Sequence, residues 1–257
     1  MAYFTYQSKK IFYRETGNGE PLMLLHGNTA SSVMFEMLLP LYQDNFKVIL
    51  MDFLGNGKSD RLDEFPADVW MNQAKQVIGL IEYLKYQKVN LAGTSGGAWT
   101  AVNAAMERPD LIKSVAADSF DGRTLADDFA EKLIAERTFA KNDASARQFY
   151  EWCQGDDWEK VVDLDTKALM ECAERKLPLF QKSLDHLKVP VLFLGSLEDS
   201  MVRSNLAEEY EQMKRQVQNG HVYFFPTGGH PAIASNAEAA ARIITEFINS
   251  IKQTNQK

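Results

Sequence analysis

The stretch Val89-Asn-Leu-Ala-Gly93-Thr-Ser95-Gly96-Gly97-Ala-Trp-Thr100 moves from a short apolar run, through three glycines, into residues with helical spacing. It holds Gly-x-Ser-x-Gly in the strand–turn–helix setting that gives this motif its meaning. Glycine at 93 and 97 removes the side chains that would hold strand and helix apart, and a residue in so tight a turn is driven toward strained dihedral angles. Read this way, Ser95 projects above the end of a strand, with the N–H of Gly96 behind it at the start of a helix. The competing reading, a serine that only caps the helix, uses the same residues. The surroundings decide between them.

Outward from Ser95, short apolar runs bounded by turn residues alternate with helical patterns, as in a parallel sheet covered on both faces. The runs fall at residues 21–25, 47–51, 89–92, 114–117, 191–194 and 222–225. Before them, residues 3–7 and 11–14 read as a hairpin that pairs antiparallel at the sheet edge. Trp70, Ala74, Val77, Ile81 and Leu84 recur at spacings of four and three, one apolar stripe of a helix, and Ala240, Ile244, Phe247 and Ile251 repeat the pattern near the C-terminus. Residues 121–185 break the alternation with helical patterns and no strand. They read as a helical insertion into a core made of residues 1–120 and 186–257. Within it Phe129, Phe139, Phe149, Trp152 and Trp158 read as core, and the pairs Asp127-Asp128 and Asp156-Asp157 as solvated.

A chain of 257 residues with 45% hydrophobic content supplies one large α/β domain with room for such an insertion. Its net charge of −7 and scattered basic residues offer no concentrated positive field for a nucleic acid or an anionic membrane. Cys153 and Cys172 lack metal-ligand spacing and read as free thiols. The first residues show neither the basic leader nor the apolar run of a signal peptide, and no run approaches transmembrane length, so a soluble cytoplasmic protein is expected.

One segment imitates a different chemistry. Asp52-Phe-Leu-Gly55-Asn-Gly57-Lys58-Ser59-Asp60 ends like a phosphate-binding P-loop, but Asp52 stands where that loop needs its first glycine, and a carboxylate there repels phosphate. The polar, proline-broken residues 60–66 that follow do not begin the required helix. The segment needs another explanation.

A serine hydroxyl becomes a nucleophile only beside a histidine base that a carboxylate orients. Of the four histidines, His26 ends an early strand, His186 lies in a polar turn and His221 opens a strand. His230 alone sits in a loop after the last strand, in Pro226-Thr-Gly-Gly-His230-Pro231, and reads as the base. Two carboxylates compete to orient it: Asp199, after the run at 191–194, and Asp118, at the end of the run before.

With these pieces assembled, the sequence resembles the α/β-hydrolase-fold serine hydrolases from about residue 3 to 251. The likeness rests on His26-Gly27-Asn28, Asp52-x-x-Gly55-x-Gly57-x-Ser59, Gly93-x-Ser95-x-Gly97, Gly195-x-x-x-Asp199-x-x-Val202 and Gly229-His230. The resemblance implies an eight-stranded, mostly parallel sheet with helices on both faces and a helical cap inserted after the sixth strand. It implies Ser95 as nucleophile, Asp199 as acid, with Asp118 the alternative, and His230 as base. The oxyanion hole it implies is the backbone N–H of Asn28 and of Gly96, with His26 organising its loop. The segment at 52–59 becomes a structural loop beside the site, with Lys58 incidental.

The chemistry expected from these parts is acyl transfer to Ser95 and hydrolysis of the acyl-enzyme, needing neither metal nor organic cofactor. A serine rather than an aspartate nucleophile argues against dehalogenase and epoxide-hydrolase chemistry. The expected partner is a small-molecule acyl substrate, by default a small carboxylic ester; the oligomeric state is not legible. Lactone and carbon–carbon bond hydrolysis use the same triad. An aminopeptidase would need Asp127, Asp128, Glu131 or Glu136 aimed at a substrate ammonium, and a slow-turnover ligand sensor of the same fold is the reading from a different class.

Overall fold

The protein is described here by a computed structural model covering residues 2–254. Eight strands form one sheet: β1 (Ala2–Tyr6), β2 (Lys9–Thr16), β3 (Glu20–Leu25), β4 (Phe46–Met51), β5 (Val89–Thr94), β6 (Ile112–Asp118), β7 (Val191–Ser196) and β8 (Gly220–Phe225). Their spatial order is β1-β2-β4-β3-β5-β6-β7-β8. β1 pairs antiparallel with β2, and β2 antiparallel with β4; every other pairing is parallel. The hairpin turns at Gln7-Ser8, both with left-handed φ (48° and 68°), the signature of a two-residue loop whose twist matches its strands. The expected first strand therefore ends one residue early, because Gln7 belongs to the turn.

The helices are α1 (Leu39–Tyr42), α2 (Val69–Leu84), α3 (Gly96–Glu107), α4 (Phe129–Asn142), α5 (Ala144–Gln154), α6 (Trp158–Glu174), α7 (Leu206–Gln216), α8 (Ala232–Ser235) and α9 (Ala237–Thr254). Successive strand residues feed opposite faces, as the period of two requires. Met23, Leu25, Ile49 and Met51 pack with α2 and α3, whereas Leu22, Leu24, Val48 and Leu50 pack with α1 and α9. The strands are longer than their apolar runs. β5 continues through Gly93 and Thr94, which pair with Ala117 and Asp118 of β6, with Gly93 also paired to Leu25 of β3, because backbone pairing holds residues that hydropathy does not mark.

Between β6 and β7 the chain forms α4, α5 and α6 and no strand. Leu133 of α4 and Val161, Ala168, Leu169 and Cys172 of α6 join the same apolar cluster as α2 and α3. The reading of the insertion's aromatics as core needs correction: Phe139, Phe149 and Trp152 are exposed. The α5 face that meets the rest of the protein carries Tyr150, Cys153 and Gln154 instead. The acidic pairs at 127–128 and 156–157 are solvated, as expected.

At the Ser95 turn three backbones meet. A Cβ on Gly93 would lie 2.0 Å from the carbonyl oxygen of Gly97, and one on Gly97 would lie 2.3 Å from that of Leu25. No side-chain rearrangement relieves a clash with backbone. Gly93→Ala should therefore cost about 1–3 kcal/mol or more in chemical denaturation. Gly229, with nothing within 4 Å of its Cβ position, should tolerate alanine to within about 0.5 kcal/mol. Equal losses at the two positions would show that backbone contact is not what fixes the turn.

Candidate active site

Ser95 stands between β5 and α3 with φ 54° and ψ −124°, left-handed backbone that a non-glycine residue adopts only under constraint. Its N–H donates to the carbonyl of Asp118 at 2.8 Å, and its own carbonyl accepts from Ala98 at 2.9 Å, so the strained residue is fastened on both sides. It makes no side-chain capping bond to α3. Gly96 opens the helix, and its N–H belongs to the first turn, where the helix itself provides no acceptor. Gly27 is pressed against Ser95: a Cβ there would lie 2.9 Å from that of the serine. Asn28 abuts Gly96 closely enough that a Cβ on the glycine would lie 2.0 Å from Asn28 Oδ1.

His230 follows β8, and its Nδ1 donates to Asp199 Oδ2 at 2.8 Å. The other oxygen of Asp199 accepts from the N–H of Met201 at 2.9 Å, and the side chain is fully buried, so no water competes for the imidazole. The neighbouring Glu198 points elsewhere, accepting from the N–H of Gly228. Asp118 lies one strand away and bonds to Thr94 Oγ1, Ser119 Oγ and the N–H of Ile233. Burial pushes its carboxyl up to about 6, against the pull of those donors.

His26 is buried; its Nδ1–H donates to the carbonyl of Gly27 at 2.8 Å, and its Nε2 accepts from the N–H of Phe53 at 3.2 Å. Burial lowers its pKa and keeps this neutral form. His186 and His221 are exposed and bond to near neighbours in sequence. The P-loop imitation is explained too. Asp52 accepts from the N–H groups of Ser32 and Lys58, each at 2.7 Å, and a side chain on Gly57 would collide with the carboxylate. The aspartate that excludes phosphate is the post around which this loop is wound.

Ser95, His230, Asn28 and Trp70 line a cavity of about 660 Å³, roofed by α4 and α5 residues including Phe129 and Tyr150. A second depression of about 730 Å³, beside Tyr6 and Phe65, shares no residue with it. Burial pushes the thiols of Cys153 and Cys172 up to about 11, so neither offers a thiolate near neutral pH. Of the four acidic residues weighed for an aminopeptidase, only Glu136 reaches the cavity, and it is bound to Arg137 and the Tyr150 hydroxyl.

Three residues with polar roles at the site escaped the sequence reading: Arg137, Gln154 and Asp165. Asp165 shares a helical stripe with Val161, Val162, Ala168 and Leu169, and a charge on a buried stripe is the signal that marks it. Arg137, between Leu133 and Ala140, carries the same signal on α4.

The profile of the alpha/beta hydrolase fold family matches residues 20–157, more than half of the chain. The protein therefore belongs to the α/β-hydrolase-fold family. The AB hydrolase superfamily protein YisY of Bacillus subtilis is 28% identical over 93% of this chain and 96% of its own length. The 2-(acetamidomethylene)succinate hydrolase of Mesorhizobium japonicum is 37% identical over 42% of this chain, and that match spans 38% of the relative. Among solved structures, a bacterial membrane phospholipase A superposes with a TM-score of 0.81 at 18% identity, covering 98% of this chain and 86% of that one, a likeness of fold. Among the described residues no helix is long and apolar enough to cross a membrane.

The buried Asp118 makes stability depend on pH. With its carboxyl at about 6 in the folded state and near 3.8 unfolded, the folded state holds the proton longer. This stabilising contribution is complete below 3.8 and is lost as pH rises through about 6. Asp118→Asn has no such proton to lose. Its stability relative to the native protein should shift in the variant's favour between pH 4 and 7, by at most roughly 3 kcal/mol. A stability difference that stays constant across that range would contradict the burial argument.

Proposed function

We propose that the protein is a serine hydrolase that cleaves a small carboxylic ester, or a related acyl bond, through an acyl-enzyme on Ser95. The observation that carries this reading is the bond of buried Asp199 to His230, which lines the same cavity as Ser95. Asp199 fixes the imidazole with Nδ1 protonated, which leaves Nε2 as the basic nitrogen. Substrate binding aligns Ser95 with that nitrogen, since catalytic hydrogen bonds are often long before substrate arrives.

In the reaction, Ser95 Oγ attacks the carbonyl carbon as its proton passes to His230 Nε2. The carbonyl oxygen takes up negative charge facing the N–H groups of Asn28 and Gly96. Collapse of the tetrahedral intermediate expels the alcohol, which receives the proton from His230. Water then repeats the sequence on the acyl-enzyme. Residues 121–185 act as a cap, and the apolar surfaces of Met34, Trp99, Phe120, Phe129 and Leu133 favour an uncharged, apolar acyl or alcohol group. The engagement of Glu136 by Arg137 and Tyr150 weighs against an aminopeptidase, because both carboxylate oxygens already have donors.

Ser95→Ala should lower turnover of p-nitrophenyl esters by about 10⁴-fold or more, and Asp199→Asn by about 10⁴-fold, with thermal midpoints near that of the native protein. His230→Ala should match the serine variant, whereas His186→Ala and His221→Ala should be nearly silent. A fluorophosphonate should label Ser95 alone. Near-native turnover in Ser95→Ala would refute the mechanism, and a single burst without sustained turnover would turn the reading toward a ligand sensor.

A further inference from the structure

The loop that follows β3 carries Asn28, and this loop is held from the insertion at two separate points. From the end of α5, Gln154 Nε2 donates to the carbonyls of Thr29 and Ala30, each at 2.9 Å, while its Oε1 accepts from the N–H of Gly57 at 2.8 Å. The adjacent carbonyl of Cys153 accepts from Ser31 Oγ at 2.8 Å. From α6, Asp165 Oδ1 accepts from Asn28 Nδ2 at 2.7 Å; Asn28 Oδ1 in turn accepts from Trp70 Nε1 at 3.0 Å. Asp165 is buried, and its second oxygen accepts from Arg137, which Glu136 and Tyr150 engage in turn.

Thr29 has a left-handed φ of 56°, a conformation that a β-branched residue leaves unless its surroundings prevent it. The surroundings that prevent it include the two bonds from Gln154, together with the Ala30 N–H on the Gly27 carbonyl and the Thr29 hydroxyl on the Asn28 carbonyl. With Thr29 and Ala30 pinned by their carbonyls and Asn28 pinned by both ends of its amide, the peptide plane carrying the Asn28 N–H has little freedom to turn. The carbonyl of that plane, Gly27 O, accepts from His26 Nδ1 within the loop; the other buried side chains that hold the loop belong to α2, α5 and α6.

We infer that Gln154 and Asp165 are positioning residues for the oxyanion loop, so that the insertion completes the catalytic centre as well as roofing it. This rests on the serine-hydrolase reading above. Neither residue touches the reacting atoms. Each acts through the orientation of Asn28, and its effect belongs to the transition state, where the oxyanion exists, more than to the ground state.

The test measures kcat and KM for p-nitrophenyl acetate, together with the affinity for phenylboronic acid. Boron accepts the Ser95 oxygen as the hydroxyl proton passes to His230, and the resulting tetrahedral adduct presents an oxygen to the same N–H groups. Gln154→Glu keeps the acceptor for Gly57 and turns a carboxylate oxygen on the two carbonyls; Asp165→Ala removes the acceptor for Asn28. Both should lower kcat about 10- to 100-fold, leave KM within about threefold, and weaken phenylboronic acid in parallel with kcat. Asp165→Asn retains an oxygen for Asn28 and should recover most of the loss. Variants that lose thermal stability but keep native kcat would overturn the inference, as would a raised KM at constant kcat, or an Asp165→Asn no better than alanine. Should Asp165→Ala fail to fold, Gln154→Glu alone decides. Native protein that neither turns over the ester nor binds the boronate would sink the serine-hydrolase reading itself.

Discussion

The structure depends on a contact that only glycine permits: the end of β5, the first turn of α3 and the loop after β3 approach one another backbone to backbone. Gly93 and Gly97 leave no side chain between them, and Gly97 lies against the carbonyls of Leu25 and His26. Ser95 takes its strained conformation because it is the residue left at the apex of that contact. The same closeness brings Gly27 and Asn28 beside it, so the apex residue and the neighbouring loop are placed by one packing constraint.

Around this apex the fold buries aspartates near the C-terminal ends of its strands, and the partners of three of them separate their roles. Asp52 is encircled by backbone N–H groups and serves a loop. Asp118 gathers two hydroxyls and one N–H, and burial still holds its proton tightly. Asp199 alone faces an imidazole, with its remaining oxygen occupied by a backbone donor. Burial by itself would make all three look alike. The direction of their donors distinguishes the carboxylate able to stabilise a cation formed beside it.

How legible this was in the sequence follows from the range of each interaction. The strand interiors, the α2 and α9 stripes and the Ser95 turn are written in local pattern, and the six apolar runs lie inside strands of the sheet. Strand ends were missed where pairing, not hydropathy, extends them, as at Thr94. Asp199 and His230, singled out from motif positions 31 residues apart, are brought into contact. The hold of Gln154 on Thr29, across 125 residues, has no local signature, because an amide at a helix end looks like any other polar terminus. Phe149 and Trp152 misled the reading, since hydrophobic type says that a side chain prefers cover without saying that it finds any.

The packing of α6 divides the insertion differently from its sequence boundaries. Its Val161, Ala168, Leu169 and Cys172 belong to the same apolar cluster as the sheet-covering α2 and α3, whereas Ala140 and Tyr150 of α4 and α5 gather with Val162 in a small cluster of their own. By chain order the three helices are one excursion between β6 and β7; by shared interior, α6 is part of the body. Exchange of segments among relatives, in nature or in the laboratory, is thus constrained unevenly. A graft confined to the exposed face of α5 alters the walls of the cavity and leaves the main interior closed, while one that takes α6, or the Leu133 face of α4, opens it. The interchangeable unit is smaller than the insertion that contains it.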